Sequence, residues 1–172
     1  FAYLNNLAVL MLGRNNIEGT LPIEIGNMAE LRVLGLNNNE FFGTIPGFRV
    51  QKLEVLHLDG NALSGEIPEI ASLAMRELRL DVNTLSGSLT SRLGSLEALE
   101  IMRLEYNRLV GTVPEEFGKL KQIEELNIEG NQLLGSVPSE LCKLRAQRVF
   151  DFQAVCYGGN TALECACCDE CK

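Results

Sequence analysis

Leu53-Glu54-Val55-Leu56-His57-Leu58-Asp59-Gly60-Asn61-Ala62-Leu63-Ser64-Gly65-Glu66-Ile67-Pro68 sets leucines at spacings of three and two ahead of an asparagine, then a glycine and a proline. The same frame recurs along the chain. Asn15, Asn39, Asn61, Asn83, Asn107 and Asn131 stand 24, 22, 22, 24 and 24 residues apart. Three residues before each lies Leu12, Leu36, Leu58, Leu80, Leu104 or Ile128, and five before lies Leu10, Leu34, Leu56, Leu78, Met102 or Leu126. Eight before come Leu7, Leu31, Leu53, Met75, Leu99 and Ile123. Gly19, Gly43, Gly65, Gly87, Gly111 and Gly135 follow at a fixed offset, and proline comes three later in every frame except the fourth, where Thr90 replaces it. Self-similarity of this kind marks a repeat architecture, which outranks any local reading.

Two apolar residues at a spacing of two share one face of a short strand. One such strand cannot bury that face alone, so successive coils stack into a parallel sheet over a common core. The asparagine ends the strand, where its amide can satisfy backbone groups freed as the chain turns inward. Glycine permits the bend beyond it, and proline suits an edge with no donor to offer. An ordinary α/β domain would need helical periodicity over a dozen or more residues, which these segments lack. The fold class is therefore an α/β solenoid with six repeats over residues 1–140 and a seventh, partial one within 141–172.

The pattern LxxLxLxxNxLxGxIP resembles the plant-type extracellular leucine-rich repeat. That resemblance implies a curved right-handed superhelix with a concave parallel sheet and a second short strand near each Gly-x-Ile-Pro segment. Family members include receptor-kinase ectodomains, receptor-like proteins and secreted inhibitors of polysaccharide-degrading enzymes. The two 22-residue steps and Thr90 depart from the pattern and predict tighter convex connections around the third and fourth repeats.

Phe1, Leu4 and Leu7 align with Phe117, Leu120 and Ile123, so the chain is expected to begin within a coil, with repeats missing before it. At the other end, adding 24 residues to the sixth frame puts Leu141 and Leu144 in register and Phe150 and Phe152 at the core positions of a seventh strand. Val155 then falls where asparagine belongs, and the pattern stops. All six cysteines, Cys142, Cys156, Cys165, Cys167, Cys168 and Cys171, lie in this last stretch. A dense, even-numbered terminal cluster reads as a disulfide-stapled cap made in an oxidising compartment. A zinc site is the rival, but it normally draws on two separated ligand pairs and would leave Cys142 and Cys156 idle. Connectivity is open, with Cys142 to Cys156 favoured because they flank the last strand. The CxCCxxC ending also resembles caps of secreted leucine-rich-repeat proteins from diatom-like algae. These features point to the extracellular space or the cell surface.

A formal charge of −8 argues against nucleic acid or an anionic membrane as partner. No stretch approaches the ~18 apolar residues of a membrane span. The chain has one histidine, His57, and no serine or cysteine shares its outward neighbourhood, so a nucleophilic triad has nowhere to form. No glycine-rich loop suggests a phosphate site. Paired carboxylates occur, but an open sheet is expected to leave them solvated, with ordinary pKa values. Neither catalysis, a metal nor a cofactor is expected.

Binding is expected instead, with a protein, peptide or glycan on the concave face. A structural role in cell wall or matrix is the alternative. Strand alternation places outward the residues six, four and two before each asparagine. The first column is Val9, Val33, Val55, Glu77, Ile101 and Glu125, and the second Met11, Gly35, His57, Arg79, Arg103 and Asn127. The third is Gly13, Asn37, Asp59, Asp81, Glu105 and Glu129. The first two repeats expose no charge there, whereas the last four expose six acids against two arginines. The expected groove takes a cationic or hydroxyl-rich group in this acidic half. Val33, Val55 and Tyr106 supply apolar contact, and His57, Asp59, Arg79, Asp81, Arg103, Glu105 and Glu129 supply polar contact.

Overall fold

The computed structural model describes residues 6–147, 151–154, 163, 164 and 167. Seven short strands, Val9–Met11, Val33–Gly35, Val55–His57, Glu77–Arg79, Ile101–Arg103, Glu125–Asn127 and Asp151–Gln153, form one parallel sheet in chain order. The register follows the repeat without slippage: Leu10, Leu34, Leu56, Leu78, Met102, Leu126 and Phe152 make one ladder, all but Leu10 buried. Leu36, Leu58, Leu80, Leu104 and Ile128 form a second buried row behind it. Each coil thus hands its apolar face to the next, and the sheet becomes the concave wall of a curved solenoid. Phe152 occupies the expected core position of the seventh strand, while Phe150 and Val155 lie outside the described residues.

The asparagines join coils as well as ending strands. Asn107 Nδ2 donates to Leu104 O at 3.1 Å within its own coil and to Leu80 O at 3.0 Å in the preceding one. Its Oδ1 accepts from Leu85 N at 2.9 Å, again in the preceding coil. Asn39, Asn61, Asn83 and Asn131 repeat this arrangement. A side-chain amide has donors and an acceptor in one plane, so it can satisfy both kinds of orphan backbone group at once.

Beyond the asparagines a second set of strands pairs in parallel: Glu18–Thr20, Glu40–Thr44, Ala62–Gly65 and Thr84–Leu85 in one sheet, and Val110–Gly111 with Gln132–Leu133 in another. The convex side carries 3₁₀ turns at Ile23–Asn27, Ser91–Ser95 and Glu115–Lys119. Thr90 precedes its turn in the same extended conformation (φ −92°) as Pro22 (−69°) and Pro114 (−66°), so the missing proline leaves the backbone path unchanged. The 22-residue steps have no such turn. There the chain runs straight across, with a parallel bridge between Phe48 and Ile70, and buried Ser72 tied to Gln51 O at 2.9 Å.

The C-terminal coil differs from expectation in two respects. Its convex connection is a helix, Ser139–Gln147, which buries Leu141 and Leu144. The repeat also extends past the seventh strand, because Leu163–Glu164 pairs in parallel with Gly135–Ser136 and Leu163 is buried. This pairing overturns the expected Cys142–Cys156 bond. By bringing the chain back along the last coil, it delivers Cys167 to the helix, and Cys142 is bonded to Cys167 with a Cα–Cα separation of 5.5 Å. Both residues pack against the core and close its end. Cys156, Cys165, Cys168 and Cys171 lie outside the described residues, as do Phe1 and Leu4.

Candidate functional site

The outward columns stand as the alternation requires. Val33, Val55, Glu77, Ile101 and Glu125 are laterally paired, as are Gly35, His57, Arg79, Arg103 and Asn127. Val33 and Val55 adjoin each other in the N-terminal half of the face. Tyr106 does not join them, because it lies past the far end of the strand Ile101–Arg103, and it is 57% exposed. The expected apolar contact is therefore divided between two regions.

The charges pair across columns. Arg103 grips Glu125 with two bonds, Nε to Oε1 at 2.6 Å and Nη2 to Oε2 at 3.0 Å. Glu77 Oε2 receives Arg79 Nη2 at 3.0 Å and stands 2.9 Å from His57 Nε2. His57 is thus held against a carboxylate and half-buried. Both arginines are committed to first-column glutamates, which leaves the third column without an ion pair among the described residues.

Part of that column is also shielded from water, contrary to the expectation for an open sheet. Glu105 is only 8% exposed, and its Oε2 is buried without a hydrogen-bond partner. Asp59 Oδ1, Asp81 Oδ1 and Arg79 Nε share that condition. Burial, reinforced by the charge of Asp81, pushes the Glu105 carboxyl up to about 7, against the pull of its own backbone N–H and of Arg103. Asp81 is raised in the same way, by burial and then by Asp59. Arg103 is raised by its bond to Glu125. The cause is geometric: the residue two before asparagine sits where the strand turns inward, with a neighbouring coil on either side.

Among the residues just before the asparagines, the sequence singles out only Tyr106. Arg14, Asn38, Val82 and Tyr106 all take left-handed conformations there, with φ between 52° and 59°. Gly60 and Gly130 hold the same position in the other two repeats, and that alternation with glycine is the legible signal. A β-branched residue is a true outlier in this region. Val82 is nevertheless 51% exposed, one coil from Tyr106. The Tyr106 ring rests on Gly130, where a Cβ would stand 2.7 Å from Cδ1. Glu129, beside its hydroxyl, raises its pKa.

Comparison with known proteins supplies the lineage. A leucine-rich repeat model matches residues 6–28, 52–72, 98–120 and 122–144, together more than half of the chain. Receptor-like protein 39 of Arabidopsis thaliana is 48% identical over 44 residues, which are 25% of this chain and 5% of that protein. Among solved structures, the Arabidopsis receptor kinase HAESA, in complex with the peptide hormone IDA and the co-receptor SERK1, is 32% identical. It superposes with a TM-score of 0.81 over 92% of this chain and 26% of its own. PEPR1, in its structure with AtPEP1, is 27% identical with a TM-score of 0.80, over 88% of this chain and 22% of its own. The chain thus spans about a quarter or less of each of these relatives. It belongs to the leucine-rich repeat family.

Proposed function

We propose that this chain is part of an extracellular recognition module that binds a peptide or protein segment along the C-terminal half of its concave face. One observation carries the reading: the unpaired carboxylates of Asp59, Asp81 and Glu105 on consecutive coils of that face. A wall component needs no such cost, because a solenoid surface can be covered with paired or solvated charge. The receptor kinase HAESA, of the same fold and solved with the peptide hormone IDA, supports a polypeptide over a glycan. The Cys142–Cys167 disulfide supports passage through an oxidising secretory route. The role is binding rather than catalysis. The acidic surface favours contact with neither nucleic acid nor membrane.

The test uses a random-peptide display library selected on the immobilised chain. Clones recovered on the parent are measured against Asp81→Lys/Glu105→Lys and against Glu97→Lys/Glu115→Lys, an equal reversal on the exposed convex side. Loss of binding with the first pair alone is expected, with melting curves confirming that the variant folds. Equal binding by parent and concave variant would remove the concave face as the site.

A further inference from the structure

The third column holds more negative charge than the chain answers. Asp59, Asp81 and Glu105 lie on three consecutive coils, each with one carboxylate oxygen shielded from water and lacking a donor. The nearest cations, Arg79 and Arg103, are bonded to Glu77 and Glu125. Glu105 is more than nine-tenths buried, and bulk solvent does not reach its unpartnered oxygen. A buried carboxylate oxygen without a donor is costly, and one that persists calls for an explanation outside the folded chain itself.

Immediately beside these acids stand Val82 and Tyr106, the next residue along each of two consecutive coils. They are 51% and 57% exposed and have φ values of 52° and 54°. Glycine would serve this turn without strain, as it does at Gly60 and Gly130. Instead the chain holds two apolar side chains out toward solvent in a conformation that disfavours them, which points to contact with something else. The tyrosine ring lies against Gly130, with Glu129 near its hydroxyl.

We infer that Asp81 and Glu105, flanked by Asp59, form a seat for one lysine or arginine side chain of a polypeptide ligand, with Val82 and Tyr106 contacting its apolar stem. This deepens the proposed function and rests on it for the polypeptide nature of the ligand. Ammonium and guanidinium groups bring several donors to acceptor-only oxygens, and their stems favour aliphatic and aromatic surfaces. The tyrosine face adds a cation–π contact. A metal ion fits less well. The carboxylates are strung along a ladder whose strands are ~4.8 Å apart, and among the described residues no three His, Cys, Asp or Glu side chains converge as a cage requires.

The experiment titrates the intact chain with N-acetyl-lysine methylamide, its arginine counterpart and its norleucine counterpart, followed by amide chemical shifts at neutral pH. The two cationic probes should shift Val82, Tyr106 and their neighbours saturably, and norleucine should not. Asp81→Asn/Glu105→Gln keeps the shape and removes the charge, and should weaken the cationic probes at least about tenfold. Tyr106→Ala should weaken them less, through the stem. Equal response to lysine and norleucine, or undiminished binding by the Asn/Gln variant, would overturn the seat. If library peptides still bind the concave face while these probes do not discriminate, the seat falls and the recognition module stands. If the probes bind as expected but no polypeptide does, the module falls and the cation seat stands.

Discussion

Single residues set the local costs of this fold. Asn107 is buried and holds groups of two coils together through its amide. Asn107→Leu would strand the Leu85 amide inside protein, a deficit of about 1–3 kcal/mol, whereas the Leu80 and Leu104 carbonyls keep donors from Asn83 and Asn131. A loss of about 1–3 kcal/mol is therefore expected in chemical denaturation. Leu104→Ala, which opens a cavity in the second buried row, should cost about 2–5 kcal/mol. Val82 provides the opposite sign. With φ at 52° and half its surface exposed, it gives up little packing when removed. Val82→Gly should stabilise the chain by roughly 1 kcal/mol by relieving the left-handed strain. The same change should weaken ligand binding, because the side chain's apolar surface is lost. A variant that both binds and folds better would separate the strain from function.

At the scale of elements, what could be read from sequence depended on whether the signal was periodic. The seven-strand sheet, its register and the asparagine positions follow from a repeat that six frames spell out independently. The outward columns follow from alternation alone. The helix Ser139–Gln147 and the strand Leu163–Glu164 do not, because they occur once and break the 24-residue step. Leu163 pairs with Gly135, a step of 28 that no internal frame announces. Burial at the third column was equally hidden, since alternation says which way a side chain points and not how closely the next coil covers it. The cap therefore carries its own test. Proteolysis of the unreduced chain should yield a peptide pair linked through Cys142 and Cys167. A bond enclosing about 25 residues should contribute roughly 3 kcal/mol. Cys142→Ser/Cys167→Ser should lose protection from hydrogen exchange first in the last coil, because solenoid coils contact only their neighbours. Uniform loss across all coils would show a single cooperative unit instead.

For the molecule as a whole, the acidic face couples folding, protons and ligand. Glu105 has an ordinary value of 4.5 when unfolded and about 7 in the folded chain. Between those values the folded state holds a proton that the unfolded state has released. Stability from this group is therefore fully present below about pH 4.5 and is lost as pH rises through 7. Asp81, raised for the same reason, adds to that slope. Glu30 and Glu140, lowered by Lys52 and Lys143, contribute in the other direction, and only at more acidic pH. Unfolding free energy should thus fall by about 1–2 kcal/mol between pH 5 and 8, because the half-exposed positions around the buried oxygens let solvent screen part of the effect. Glu105→Gln should flatten most of that slope and be more stable than the parent at pH 8. The proton and a ligand's cation compete for the same carboxylates, so the linkage must also appear in binding. Affinity for a lysine-bearing peptide should weaken as pH falls from 8 to 5, and the Gln variant should show weak binding with little pH dependence. A parent slope that survives in Glu105→Gln would assign the titration to another group, while a slope in stability without one in binding would place the cation away from Glu105.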